Sequence, residues 1–179
     1  MLLRSLALLV FPCTSALHAK VLKTNFCGVD LTSPPSGMFA HGDAQHSWKK
    51  FVKNADLPTL ELGEGQFAKI WRNSQGNLVV SLDEPAEDFG RFTTYCFDHA
   101  NRLIAVQFEL RSAWGWAYEE ASTIRNGKCL ISSSEYFSTK TDKPLAKKPD
   151  SADDIKDALK PDLYLSIDRL PFYSLLRLK

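Results

Sequence analysis

Arg91-Phe-Thr-Thr-Tyr-Cys-Phe97, the turn Asp98-His-Ala-Asn-Arg102 and Leu103-Ile-Ala-Val-Gln-Phe-Glu-Leu-Arg111 decide how this chain folds. Apolar and polar residues alternate on both flanks, the period of a half-buried β-strand. The turn sets a register: with Asn101 in the left-handed position of a three-residue loop, Asp98 pairs with Arg102. Phe97 then faces Leu103, Cys96 faces Ile104 and Thr94 faces Val106. This pairing gathers Phe92, Cys96, Ile104, Val106, Phe108 and Leu110 on one apolar face. A slip of one residue would scatter them over both faces. Cys96 is therefore expected to be buried.

The same two-residue period extends outward. Downstream, strands over 117–124 and 128–137 flank Asn126-Gly127, a pair suited to a type I′ hairpin because both centres need positive φ. The connection through Ala113-Trp114-Gly115-Trp116 allows more than one register. Upstream, Phe67–Arg72 and Leu78–Leu82 flank Asn73-Ser-Gln-Gly-Asn77, a further hairpin. Together these segments predict a twisted antiparallel meander of about six strands.

Helices are expected at both ends of the meander. Asp43 stands as an N-cap before Ala44, Trp48, Phe51, Val52 and Ala55, which fall at helical spacing with Lys49, Lys50 and Lys53 opposite. Pro58 would end that helix. Ser151 would cap a second one, with Asp153 and Asp154 in its first turn, Lys160 at its end and Pro161 beyond. Leu163–Ile167 reads as a last strand. The expected architecture is a single α+β domain over 41–179: an N-terminal helix packed on the meander, plus a C-terminal helix and strand. Residues 20–40, rich in Pro, Gly and Ser, read as an extended lead-in.

Residues 1–19 carry Arg4, a short apolar run from Ser5 to Phe11, and small residues towards Ala19, the parts of a secretory signal peptide. The run is too short to span a bilayer, which takes about 20 residues. No stable membrane span is expected in the mature chain. A lipoprotein anchored through Cys13 is not favoured, because Phe11-Pro12 fits poorly before a lipidated cysteine. The expected location is secreted or periplasmic.

The formal net charge of +1 falls to about zero once Arg4 is removed. The charges are interspersed, so the long-range field that gathers phosphates is missing and nucleic acid is not an expected partner. Three cysteines remain: Cys27, Cys96 and Cys129. In a meander, 91–97 and 128–137 lie three strand spacings apart, about 14 Å, whereas a disulfide needs Cα atoms within about 7 Å. Cys27 on its lead-in is thus the expected bridging residue. Cys27–Cys129 is the favoured pair, with Cys96 left as a buried thiol.

Candidate chemistry is sparse. His41, Asp43 and His46 are ligand types for a transition metal, but Asp43 is wanted as a cap and the histidines do not share a helical face, so no metal or cofactor is favoured. Trp114, Trp116 and Tyr118 place large aromatics at a strand connection, where they can stack on a sugar or anchor a protein, or fold back over the sheet edge. Trp48 and Trp71 read as core. Glu109, Arg111 and Glu119 suit a cross-strand charge ladder better than an acid–base pair. The sequence points to an exported non-catalytic module binding a protein, sugar or small apolar ligand, with Trp114, Trp116 and Tyr118 as the contact. A small extracytoplasmic hydrolase using a His/Asp or carboxylate site is the rival, and a structural or assembly subunit the third reading.

Overall fold

The computed structural model describes residues 25–41, 47–51 and 65–176. Among the described residues, ten strands form two antiparallel sheets. The small one is a hairpin of β1 (Asn25–Phe26) and β2 (Val29–Asp30). The large one comprises β3 (Gly37–His41), β4 (Trp48–Phe51), β5 (Gln66–Arg72), β6 (Leu78–Pro85), β7 (Phe89–Phe97), β8 (Leu103–Ser112), β9 (Trp116–Arg125) and β10 (Lys128–Ser138). Its order is β10-β9-β8-β7-β6-β5-β3-β4, so the six strands from β5 to β10 are neighbours in chain order and β3 inserts between β5 and β4.

Local chemistry accounts for the turns. Asn126 and Gly127 both have positive φ (53° and 71°), the requirement of a two-residue type I′ turn between β9 and β10. Asn101 takes φ 63°, and the Asp98 and Arg102 backbones pair at 2.9 Å. Asn73 Oδ1 accepts hydrogen bonds from the backbone N–H groups of Gln75 and Asn77 at 2.9 Å each, closing the β5–β6 hairpin.

The α+β expectation is overturned: the described residues contain strands and three short 3₁₀ turns, with no longer helix. Trp48 and Phe51 lie in β4, where Met38 opposes Phe51 and His41 opposes Trp48. Apolar residues three apart fit a short strand as well as a helix, and pairing with β3 decides between them. Asp43, Ala44, Val52 and Ala55 lie outside the described residues. At the C-terminal end, Asp150–Ala152 forms a single 3₁₀ turn with no side-chain cap. The Ser151 hydroxyl accepts a hydrogen bond from Trp116 Nε1 at 2.9 Å instead of capping a helix. Leu163–Ile167 is not a strand either. It meets the sheet through one bridge, Arg102 to Ser166, and Ile167 opens the 3₁₀ turn Ile167–Arg169.

The register between β7 and β8 also departs from expectation. Phe97 opposes Leu103, but Cys96 opposes Ala105 and Thr94 opposes Gln107, because Ile104 is an extra residue at a bulge. One inserted residue exchanges the faces. Arg91, Thr93, Tyr95 and Phe97 therefore share a face with Val106, Phe108 and Leu110, while Phe92, Thr94 and Cys96 join Gln107 and Glu109 on the other.

The first face is the main core. Ile70, Val80, Leu82, Tyr95 and Val106 are buried there against Ile167, Leu170 and Phe172 of the C-terminal segment. A second cluster, Phe108, Leu110 and Trp116, packs on Ala152. Arg91 joins the two regions: its Nη2 lies 3.0 Å from Asp162 Oδ2, and the Tyr95 hydroxyl donates to the Asp162 carbonyl at 3.0 Å. The C-terminal segment thus covers this face without forming a regular element.

On the opposite face a third cluster, Val29, Trp71 and Val79, lies under the β1–β2 hairpin. That hairpin is stapled down by the pair Cys27–Cys96, whose Cα atoms are 6.2 Å apart. The expected Cys27–Cys129 bridge is overturned: Cys129 is a half-buried free thiol on β10. Asn73 Nδ2 adds a hydrogen bond to the Cys27 carbonyl at 2.9 Å. No helix among the described residues is long and apolar enough to cross a membrane. This and the cysteine pair are compatible with an extracellular location.

Candidate functional site

The bulge at Ile104 builds the site, because it turns the polar side of β8 towards the face that the C-terminal segment leaves uncovered. Three rows of residues cross that face at strand spacings of about 4.8 Å. Trp71, Val79, Cys96 and Ala105 form the row beneath the hairpin. Lys69, Ser81, Thr94 and Gln107 form the middle row. The third row runs Phe67, Asp83, Phe92, Glu109, Glu119 and Glu135. Short side chains at Ser81 and Thr94 lie between taller ones, and a cavity of about 450 Å³ opens over them. Leu31 and Thr32, which follow β2, supply its wall on the hairpin side. The Trp71 indole is fixed at this wall by donating Nε1–H to the Ser33 carbonyl at 2.9 Å.

The charges in the cavity are largely balanced in place. Glu109 is buried, and Arg111 Nε approaches its Oε1 at 2.5 Å. Glu119 stands directly opposite Glu109 on β9. The expected cross-strand ladder is not what forms: Arg111 pairs with Glu109 along β8 and itself opposes Ala117, while the cross-strand pair Glu109–Glu119 brings two acids together. The Asp83 carboxyl is pushed above the ordinary range by burial, which the positive charge of Lys69 and a 3.1 Å hydrogen bond from the Ser81 hydroxyl partly oppose.

The shift at Asp83 has a definite sign for stability. A carboxyl whose folded value is raised binds its proton more tightly in the native state. Its contribution is therefore fully present below the unfolded value of 3.8 and is lost as pH rises through the raised folded value. Asp83→Asn should remove this loss. Urea unfolding of both proteins is expected to show the variant gaining on the wild type as pH is raised from below 3.8 to neutrality. A constant difference across that window would contradict the assignment.

The aromatic residues singled out from sequence lie elsewhere. Trp114 is 49% exposed on the β8–β9 connection, whereas Trp116 is only 4% exposed and belongs to the core cluster on Phe108 and Leu110. Their rings stack at 6.5 Å. Tyr118 packs on the same cluster and donates to Glu120 Oε2 at 2.9 Å, and burial followed by this hydrogen bond pushes its hydroxyl up to about 12. Arg111 faces the cavity and opposes Ala117, so strand alternation puts Trp116 and Tyr118 on the other side of the sheet. His41 lies on β3 beside the Trp48 ring, at 5.7 Å between ring centres, while Asp43 and His46 are outside the described residues. Among the described residues no group of three or more His, Cys, Asp or Glu side chains is placed to hold a metal ion.

Sequence reasoning missed Lys69, Ser81, Asp83, Phe92, Thr94 and Gln107 as a group, and it assigned Trp71 to the core alone. One signal was present: Gln107, Glu109 and Arg111 alternate strictly with Val106, Phe108 and Leu110, so β8 carries one polar face that had to meet something other than the core. Comparison of the chain with protein-family models, with curated proteins and with solved structures finds no match.

Proposed function

We propose that this protein is an exported, non-catalytic binding module whose small ligand occupies the cavity over Ser81 and Thr94. The observation that carries the reading is the composition of that cavity. Trp71, Phe92 and Leu31 give it apolar walls, and hydroxyl, amide and charged groups converge between them. Apolar walls with polar groups converging between them are a usual form of a small-molecule site, and 450 Å³ lies within the usual size range. The hairpin wall is held by a cross-link rather than by a large core of its own, an arrangement suited to an oxidising compartment. Export follows from the signal-like pattern of residues 1–19. The close Arg111–Glu109 pair favours binding over acid–base work, because a guanidinium that engages a carboxylate fixes its orientation and occupies its oxygen.

Ligand-observed NMR tests the reading with a probe set of neutral disaccharides, putrescine and indole-3-acetate. Saturation transfer from the wild type to at least one probe is expected, together with its loss in Thr94→Trp, which fills the cavity. Trp114→Ala should leave the transfer intact. Transfer that survives Thr94→Trp and disappears in Trp114→Ala would move the site to the β8–β9 connection.

A further inference from the structure

We infer that the cavity takes a neutral polyhydroxylated ligand, a saccharide of one or two rings; this deepens the proposal that the cavity is the binding site and rests on it. Three features carry the choice of ligand class.

The first is charge. Asp83, Glu109 and Glu119 face the cavity together with Lys69 and Arg111. Arg111 is paired with Glu109, and Lys69 acts on Asp83. An ammonium ligand would have to compete with these cations for the carboxylates. A phosphate or carboxylate ligand would meet three acids against two bases. A ligand without net charge meets neither obstacle.

The second is the mixture of hydrogen-bonding types. Carboxylates accept, Lys69 and Arg111 donate, and Ser81, Thr94 and Gln107 do both. Vicinal hydroxyls, each at once donor and acceptor, are the ligand groups that use such a set fully. A fatty or wholly aromatic ligand would leave this polar floor desolvated and unpaired, which is costly.

The third is the shape of the apolar part. Trp71 and Phe92 flank the polar floor from neighbouring rows, so the cavity offers apolar surface beside polar groups rather than an enclosing apolar pocket. A pyranose presents C–H groups on one face and hydroxyls around its rim, which matches that division. Phe92 is seated over Gly90, where a Cβ would come within 3.1 Å of the ring, so the ring position depends on the glycine.

The test is a titration of the full chain with cellobiose, maltose and N,N′-diacetylchitobiose, and separately with putrescine and with indole-3-acetate, followed by calorimetry and by NMR. At least one disaccharide is expected to bind in the micromolar to millimolar range. Gln107→Ala, which removes a side chain without adding volume, should weaken it about tenfold, and Asp83→Asn by a similar factor. Gly90→Ala should weaken it through Phe92. Near-UV circular dichroism identifies any variant that has lost its fold. Binding of putrescine or indole-3-acetate alone, abolished by Thr94→Trp, would overturn the saccharide assignment and leave the cavity as a site. Failure of all three disaccharides would likewise overturn the assignment. Disaccharide binding unaffected by Gln107→Ala, Asp83→Asn and Thr94→Trp would overturn both the ligand class and the cavity reading.

Discussion

Replacing Cys27 and Cys96 together with serine is expected to lower stability by about 4 kcal/mol. The figure follows from the chain-entropy cost of a cross-link that spans 69 residues. For a domain of this size the melting temperature should fall by roughly 10 °C. Part of the effect is local. The β1–β2 hairpin is held by the small cluster of Val29, Trp71 and Val79, three polar contacts and the cross-link. Without the cross-link the Leu31–Thr32 wall should loosen before the sheet melts, and ligand binding should weaken at temperatures where the fold survives. Cys129→Ser should change the melting temperature little, because that thiol is free. Thermal melts of the two variants with and without reductant, and non-reducing peptide mapping, check the pairing. A linked peptide containing Cys129, or a larger loss in Cys129→Ser, would contradict it.

Phe172→Ala should cost a comparable amount, about 3–5 kcal/mol, as for other fully buried aromatics. Phe172 is fully buried, with its ring centre 4.9 Å from those of both Phe39 and Trp48. It therefore joins the C-terminal segment to β3 and β4 at the far end of the sheet. Its ring partners are held on two paired strands, β3 and β4, so the cavity it leaves has little freedom to collapse. Tyr173→Ala removes a neighbouring exposed ring and should change stability by less than 1 kcal/mol. Chemical denaturation of the two variants measures the difference. Equal small losses would mean that the C-terminal segment lies on the sheet without stabilising it.

The turns were legible because their chemistry is local. Asn126-Gly127 and the Asp98–Arg102 loop close through residues suited to positive φ or to side-chain capping of the turn, whatever packs around them. The faces of β7 and β8 were not, because the bulge at Ile104 breaks the alternation after the turn is already complete. That one residue propagated into the cysteines. Strand spacing correctly set aside a Cys96–Cys129 bridge and pointed to Cys27, but Cys96 was assigned to the core face. In the folded chain it lies on the opposite face, beneath the hairpin that carries Cys27.

The helix at 44–55 and the one after Ser151 rested on short windows in which tertiary partners outweigh local preference. Pairing with β3 makes Trp48–Phe51 a strand, and Trp116 occupies the Ser151 hydroxyl. The cavity was hidden for a related reason. Its residues come from several strands, and only the register brings Lys69, Asp83, Thr94 and Gln107 together.

The most direct test of the cavity as the ligand site is the comparison of wild type and Thr94→Trp read at residue resolution, from backbone amide shifts on adding the disaccharide that binds best. Shifts concentrated at Lys69, Ser81, Thr94 and Gln107, and absent in Thr94→Trp, are the expected result. Shifts concentrated at Trp114 and Gly115, with the middle row unmoved, would contradict it.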